Sequence, residues 1–259
     1  MTVNTTSCYM WHESTGNRGA NDVASCLHGF LKALPNSVEH VTVYSDNCSG
    51  QNKNKMSAGM FTTDVHDKPL SKMIDHKFLI VGHTLMECDK DWYNLVRYAG
   101  KSKIFDVHVM KQDDFYDFAS LFKNILVNRK QDTDGNIFSW NEERWLRYTK
   151  KFGEVMYKNS LSEKEPFKKI SFLRKFEPGI VHVIDGVPKT YTPPLGISRE
   201  KKKDLESILH LLSPENKKFY LDLPIDEKQN NTDREIPSTK SYPRDIMLQE
   251  LLYKANCPS

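Results

Sequence analysis

Apolar positions recur at two different periods along the first half of the chain, and together they predict strands alternating with helices. Residues 8–12 (CYMWH) mix aromatic and apolar side chains as a short strand does, and a turn-like STGNRG follows. Val23, Leu27, Phe30, Leu31 and Leu34 fall on one face of a helix over 21–34, which Pro35 and Asn36 stop. The β-branched and aromatic run 40–45 (HVTVYS) is the clearest strand and ends at Asp46. A polar loop, NCSGQNKN, leads to a helix over 55–65, and 76–81 (HKFLIV) reads as a buried strand closed by Gly82 and His83. Trp92, Leu95, Val96 and Tyr98 predict a helix from Asp89 to Tyr98; a strand over 105–110 and a helix over 114–127 follow. Strand and helix in alternation imply an α/β sheet with covering helices.

Past residue 131 the pattern weakens. Residues 132–135 (DTDG) read as a turn, and Trp145, Leu146, Phe152 and Met156 suggest a helix over 142–158. From 150 to 175 lysines interleave with Phe152, Tyr157, Phe167 and Phe172, with Phe176 just beyond. Two readings stand: rings and lysines tracking a nucleic-acid backbone, or an amphipathic helix with rings in the core and lysines in water. The second is the commoner arrangement. A proline-containing stretch at 188–194 precedes a predicted helix over 199–212, and residues 226–240 read as a polar, flexible tail.

Composition narrows the classes. The 259 residues are 38% hydrophobic and 27% charged, and a mean hydropathy of -0.61 leans polar. No apolar run approaches the roughly 18 residues needed to cross a bilayer, and the first residues lack the basic flank and apolar core of a signal peptide. No membrane partner is therefore expected. Lys and Arg number 37 against 34 Asp and Glu, a net charge of +3, lower than a dedicated DNA-coating protein carries. Five scattered cysteines, Cys8, Cys26, Cys48, Cys88 and Cys257, form no disulfide framework. They suit an intracellular, reducing setting, nuclear or cytoplasmic.

The acidic residues carry the chemistry. Asp46 closes the best strand, where side chains of an open α/β sheet meet a ligand crevice. Asp22 lies in the first turn of the preceding helix; Glu87, Asp89 and Asp91 follow the next strand. Cutting phosphodiesters with two Mg2+ or Mn2+ ions needs carboxylates from several elements converging on ions about 4 Å apart, and these acids meet that need. The plainer reading is also open: Asp46 as a turn residue, Asp22 as a favourable charge at a helix start, the later acids as caps. Asn47, Gln51, Asn52, Lys53 and Lys55 are candidates to hydrogen-bond phosphate or sugar. Cys48, His83 and Cys88 suggest zinc only weakly, since no CxxC pair accompanies them.

GNRGANDVASCLHGFLKAL resembles the first helix of ribonuclease H, VTVYSDN resembles the strand bearing that fold's central Asp, and VGHTLMECDKD resembles its late loop of His and acid. WHESTGNRGANDVASC, YSDNCSGQNKN and GHTLMECD together resemble a transposon-derived animal family, domain-of-unknown-function family 7869; ISREKKKDLESILHLLSPENKKFYLDL resembles its C-terminal stretch. The resemblance implies Asp46 as the bridging carboxylate, Asp22 and Asp89 (or Asp91) completing the metal shell, and His83 assisting product release. It implies a ribonuclease-H-like mixed sheet over 1–130 that lacks its first strands, a mainly helical extension over 131–225 and a polar tail over 226–259. The pattern also departs from the family at metal ligands: no strand with the first Asp precedes Cys8, and Asp91-Trp92 follows the CD pair almost at once. The expectation is a nucleic-acid domain of two-metal ancestry with cleavage lost; the alternative is a non-catalytic nucleic-acid-binding or protein-interaction module. Without its central strand, the chain is expected to be marginally stable or to pair 8–12 directly with 40–45.

Overall fold

A computed structural model describes residues 5–47, 50–68, 71–79, 104–174, 186–193, 195–226, 247–251 and 253–255. The chain forms strand β1 (Thr5–Trp11), helix α1 (Ala20–Ala33), β2 (His40–Ser45), α2 (Lys55–Asp67), β3 (Met73–Phe78) and β4 (Ile104–Val109). Then come α3 (Phe118–Phe122), β5 (Trp145–Thr149), β6 (Glu154–Lys158), β7 (Lys168–Ser171), α4 (Arg199–Ser207), α5 (Pro214–Asp222), β8 (Met247–Leu251) and β9 (Tyr253–Ala255). The result is mixed α/β, as the alternating periods predicted. The helix expected over 89–98 and most of the polar tail lie outside the described residues. Among those described, no helix is long and apolar enough to cross a membrane.

The larger sheet runs β7-β6-β5-β3-β2-β9. β2 and β3 are parallel, and β5, β6 and β7 continue as an antiparallel meander. One face is apolar: Val41, Val43, Ile74, Phe78, Leu146, Tyr148, Val155 and Tyr157 are all buried. α1 and α2 pack on one another, and Phe61 of α2 stacks on Tyr148 with ring centroids 4.8 Å apart. α1 begins and ends within a residue of its predicted span because its apolar stripe is continuous and Pro35 follows. α2 is capped by Asn54, whose side chain accepts from Ser57 N at 2.8 Å.

Residues 142–158 depart from expectation. They form no helix; they supply β5 and β6, which extend the sheet. Leu146, Tyr148, Val155 and Tyr157 alternate inward with period two, and Gly153, at φ 72°, turns the chain between the strands. The apparent helical spacing joined residues from both arms of this hairpin. The lysine–aromatic segment likewise runs through strands, so its amphipathic-helix reading is corrected too. Over 114–127 only α3 and a preceding turn of 3-10 helix at Gln112–Asp114 are helical, the break falling at Asp117, which caps α3 through Ser120 N.

The direct pairing of β1 with β2 is replaced by another arrangement. β1 pairs in parallel with β4 on one side and antiparallel with β8 on the other. β9, one residue beyond β8, pairs antiparallel with β2. A single C-terminal run therefore lies between β1 and β2 and satisfies the edges of both, so the direct pairing of 8–12 with 40–45 does not occur.

This arrangement yields the first prediction. A chain ending at residue 246 exposes five paired positions of β1 and three of β2. With each backbone hydrogen bond contributing about 1 kcal/mol net, its urea unfolding midpoint should fall by an amount worth several kcal/mol. A midpoint equal to that of the full chain would refute the role assigned to 247–255.

Candidate functional site

The carboxyl ends of β2 and β3, the start of β5 and the end of β6 share one edge of the larger sheet, and Asp46 lies there. It is exposed, and Asn52 Nδ2 donates to its Oδ1 at 2.7 Å. The neighbouring loop is held by its own polar side chains. Gln51 Nε2 donates to Arg18 O at 3.0 Å, tying the loop to the segment before α1. Lys55 Nζ donates to Leu126 O at 3.2 Å, and Asn54 Nδ2 donates to Gln51 O at 3.1 Å. Of the residues predicted to contact nucleic acid, Gln51, Asn52, Lys53 and Lys55 all make such internal bonds; Asn47 is part-buried, and its Oδ1 has no hydrogen-bond partner among the described residues.

Lys53 is turned inward. It is 2% exposed, its Nζ donates to the Glu143 carbonyl at 2.6 Å, and it sits 4.5 Å from the Phe78 ring centroid. Burial, with the Arg144 charge, lowers its pKa to about 8 against the pull of Glu143. Glu143 is itself fully buried. Burial raises its carboxyl to about 7, although Lys168, the Ser139 backbone and Lys53 act in the other direction. Among the described residues its Oε2 has no hydrogen-bond partner, nor has Arg144 Nη1. Sequence reasoning missed Glu143, because it fell in the first turn of the helix expected over 142–158, where an acid is ordinary.

Ser45 and His76 meet at the same edge, with Oγ and Nε2 2.8 Å apart. This is not an activated hydroxyl. Ser45 Oγ also donates to Asp46 O at 3.1 Å, so the imidazole N–H must be on Nε2, donating to Oγ. That tautomer leaves a bare Nδ1 as the unpartnered atom, cheaper to bury than an orphaned N–H. Burial, aided by Lys53, keeps His76 neutral, with a pKa pushed down to about 3.

Asp22 occupies the first turn of α1, as predicted, and is 2% exposed. Its Oδ2 accepts from Gly19 N at 2.8 Å, and its Oδ1 accepts from the Tyr191 hydroxyl. Tyr191 in turn accepts from Asn17 N at 2.9 Å. Among the described residues, no group of three or more His, Cys, Asp or Glu side chains is placed to hold a metal ion. His83, Glu87, Cys88, Asp89 and Asp91 lie outside the described residues, as does Cys48, so the expected late loop of the constellation and the zinc alternative fall there. Cys8 and Cys26 are buried thiols.

Two predictions follow from these environments. Asp22→Ala removes a helix cap and leaves the Tyr191 hydroxyl short of a partner, and should cost about 2–4 kcal/mol in urea unfolding; a loss below about 0.5 kcal/mol would contradict the assigned contacts. Glu143 keeps its proton up to about pH 7 when folded but releases it near 4.5, its ordinary value. Between those values the folded state holds the extra proton, so stability falls as pH rises. Glu143→Gln should flatten that slope and be more stable at pH 8 by about 1–2 kcal/mol; an unchanged pH profile would show that the carboxyl is solvated.

Residues 2–113, spanning β1 to the 3-10 turn after β4, match the model of a family described as a domain of unknown function, DUF7869. No curated protein and no solved structure matches the chain.

Proposed function

We propose that the chain is a nucleic-acid-binding domain of mobile-element descent, built on a ribonuclease-H-like plan and no longer able to cleave phosphodiesters. The reading is supported by the parallel pair β2 and β3, by an exposed Asp46 at their carboxyl edge, and by the resemblance of the segments around Asp22 and Asp46. It places the protein inside the cell, in nucleus or cytoplasm.

The loss of chemistry is carried by Asp22. Mg2+ binds through hard oxygens and keeps several waters, so a carboxylate serving it must open onto solvent-sized space. At 2% exposure, with one oxygen capping α1 and the other under the Tyr191 hydroxyl, Asp22 does not fit that requirement. Among the described residues that leaves Asp46, and a single carboxylate does not hold two ions. The nuclease reading, in which Asp46, Asp22 and Asp89 hold Mg2+ or Mn2+ and His83 assists, would need Asp22 to abandon both bonds.

Incubation with labelled DNA or RNA in the presence of Mg2+ or Mn2+ separates the two. The expected outcome is retention of intact nucleic acid, with affinity unchanged in Asp46→Asn. Cleavage that disappears in Asp46→Asn would overturn the proposal and restore the nuclease.

A further inference from the structure

The sheet face opposite α1 and α2 carries charge and rings in a regular order. Strand register aligns Tyr44 with Lys77, Lys77 with Trp145, and Trp145 with Lys158. Cross-strand partners project to the same face, so ring, cation, ring and cation follow one another across four strands at about 4.8 Å per step. The contacts agree with the register. Lys77 Nζ lies 3.8 Å from the Trp145 ring centroid and 5.9 Å from that of Tyr44. Lys158 Nζ lies 4.7 Å from Trp145 and 4.3 Å from Phe167. The adjacent row brings Arg147 over Phe167, its Cζ 4.5 Å from that ring.

Charge on this face is unbalanced. Asp75 is buried and fully engaged, taking both prongs of Arg147 at 2.7 and 2.9 Å, Trp145 Nε1 at 2.8 Å and His40 Nε2 at 2.8 Å. It answers Arg147 and offers nothing to Lys77. Among the described residues, neither Lys77 nor Lys158 has a carboxylate within ion-pairing range; Lys158 is buried and spends its protons on the carbonyls of Ser162 and Glu163. Lys77 is held by rings alone. Tyr44 and Lys77 are part-exposed, so an open ring lies beside a cation for which the described residues supply no carboxylate.

We infer that this face binds single-stranded nucleic acid, with a base stacking on Tyr44 and the phosphate backbone running over Lys77 and the exposed Lys169 of the adjacent row. Charge complementarity selects a polyanion, and the open Tyr44 ring selects one that has flat bases free to stack. A duplex keeps its base faces stacked inside and presents only phosphates and base edges. This inference rests on the nucleic-acid reading above and assigns it a surface away from Asp46.

The test is fluorescence anisotropy of the full chain with labelled oligothymidine, a duplex of equal length and inorganic polyphosphate, each across a salt series. The single strand should bind tighter than the other two. Tyr44→Ala should weaken it at least about five-fold, the lower end expected for loss of one base–ring stack, while Tyr44→Phe keeps the ring and the affinity. Lys77→Gln should weaken binding and make the salt slope shallower by about 0.7, the value for one phosphate contact on a single strand. Duplex or polyphosphate bound as tightly as oligothymidine would overturn the inference. Equal binding by all variants would overturn this surface while leaving the nucleic-acid reading intact. No binding of any nucleic acid by the unaltered chain would overturn both.

Discussion

Two strand edges that face one another across a gap govern this fold. β1 carries β4 on its outer side and β2 carries β3 on its own, which leaves the inner edge of each with a row of backbone donors and acceptors. Left bare, those groups cost free energy if buried and recruit other chains if exposed. Direct pairing of β1 with β2 would have closed the gap without help. The chain instead fills it from its far end, with β8 against β1 and β9 against β2. The contact joins residues more than two hundred positions apart in sequence. It also gives each of the two sheets an edge strand from the same C-terminal run, β8 in β4-β1-β8 and β9 in β7-β6-β5-β3-β2-β9.

Buried charge obeys the same accounting in two opposite ways. Asp75 is surrounded by donors; burial pushes its carboxyl up, but the bonds from Arg147, Trp145 and His40 outweigh it and hold the pKa below the ordinary range. Its contribution to stability is therefore present above the ordinary carboxylate pKa and is lost as pH falls through the depressed folded value. Glu143, two residues before β5, has a backbone donor and a distant amide, but among the described residues its Oε2 is unpartnered, and burial wins. The difference is not depth. It is the number of donors aimed at each carboxylate.

How far the sequence disclosed this depends on whether a pattern was local. α1, β2 and α2 were legible because each has an uninterrupted period and a terminating residue: Pro35 after α1, Asp46 after β2, Asn54 before α2. β5 and β6 were not, because the turn at 150–153 is short and Trp145, Leu146, Phe152 and Met156, drawn from both strands, both faces and the turn, happen to fall at helix-like intervals. The partner of β1 was beyond reach, since nothing in 247–255 identifies which strand it will meet. At the candidate site the identity of Asp46 as an exposed strand-end acid was legible, and so was the position of Asp22 in the first helical turn. Its enclosure was not, because it depends on Tyr191, 169 residues away. Lys53 looked like a loop cation open to phosphate; the fold turns it under Phe78 and onto the Glu143 carbonyl.

A strand pattern with period two specifies two faces at once, and attention to the core reads only one of them. In WLRYT, Leu146 and Tyr148 enter the core, which leaves Trp145 and Arg147 on the far side by geometry alone. The same holds for Lys77 between His76 and Phe78, and for Lys158 after Tyr157. Once the strands are in register, those outward positions line up without further selection on distance, and the cost of gathering cations is offset where rings lie between them. A face built this way stabilises the sheet through its cation–ring contacts whether or not anything binds. Among the described residues nothing neutralises Lys77, because Asp75, on the same face, is already saturated by Arg147, Trp145 and His40. The unbalanced charge on this face therefore follows from the same network that makes burial of Asp75 tolerable.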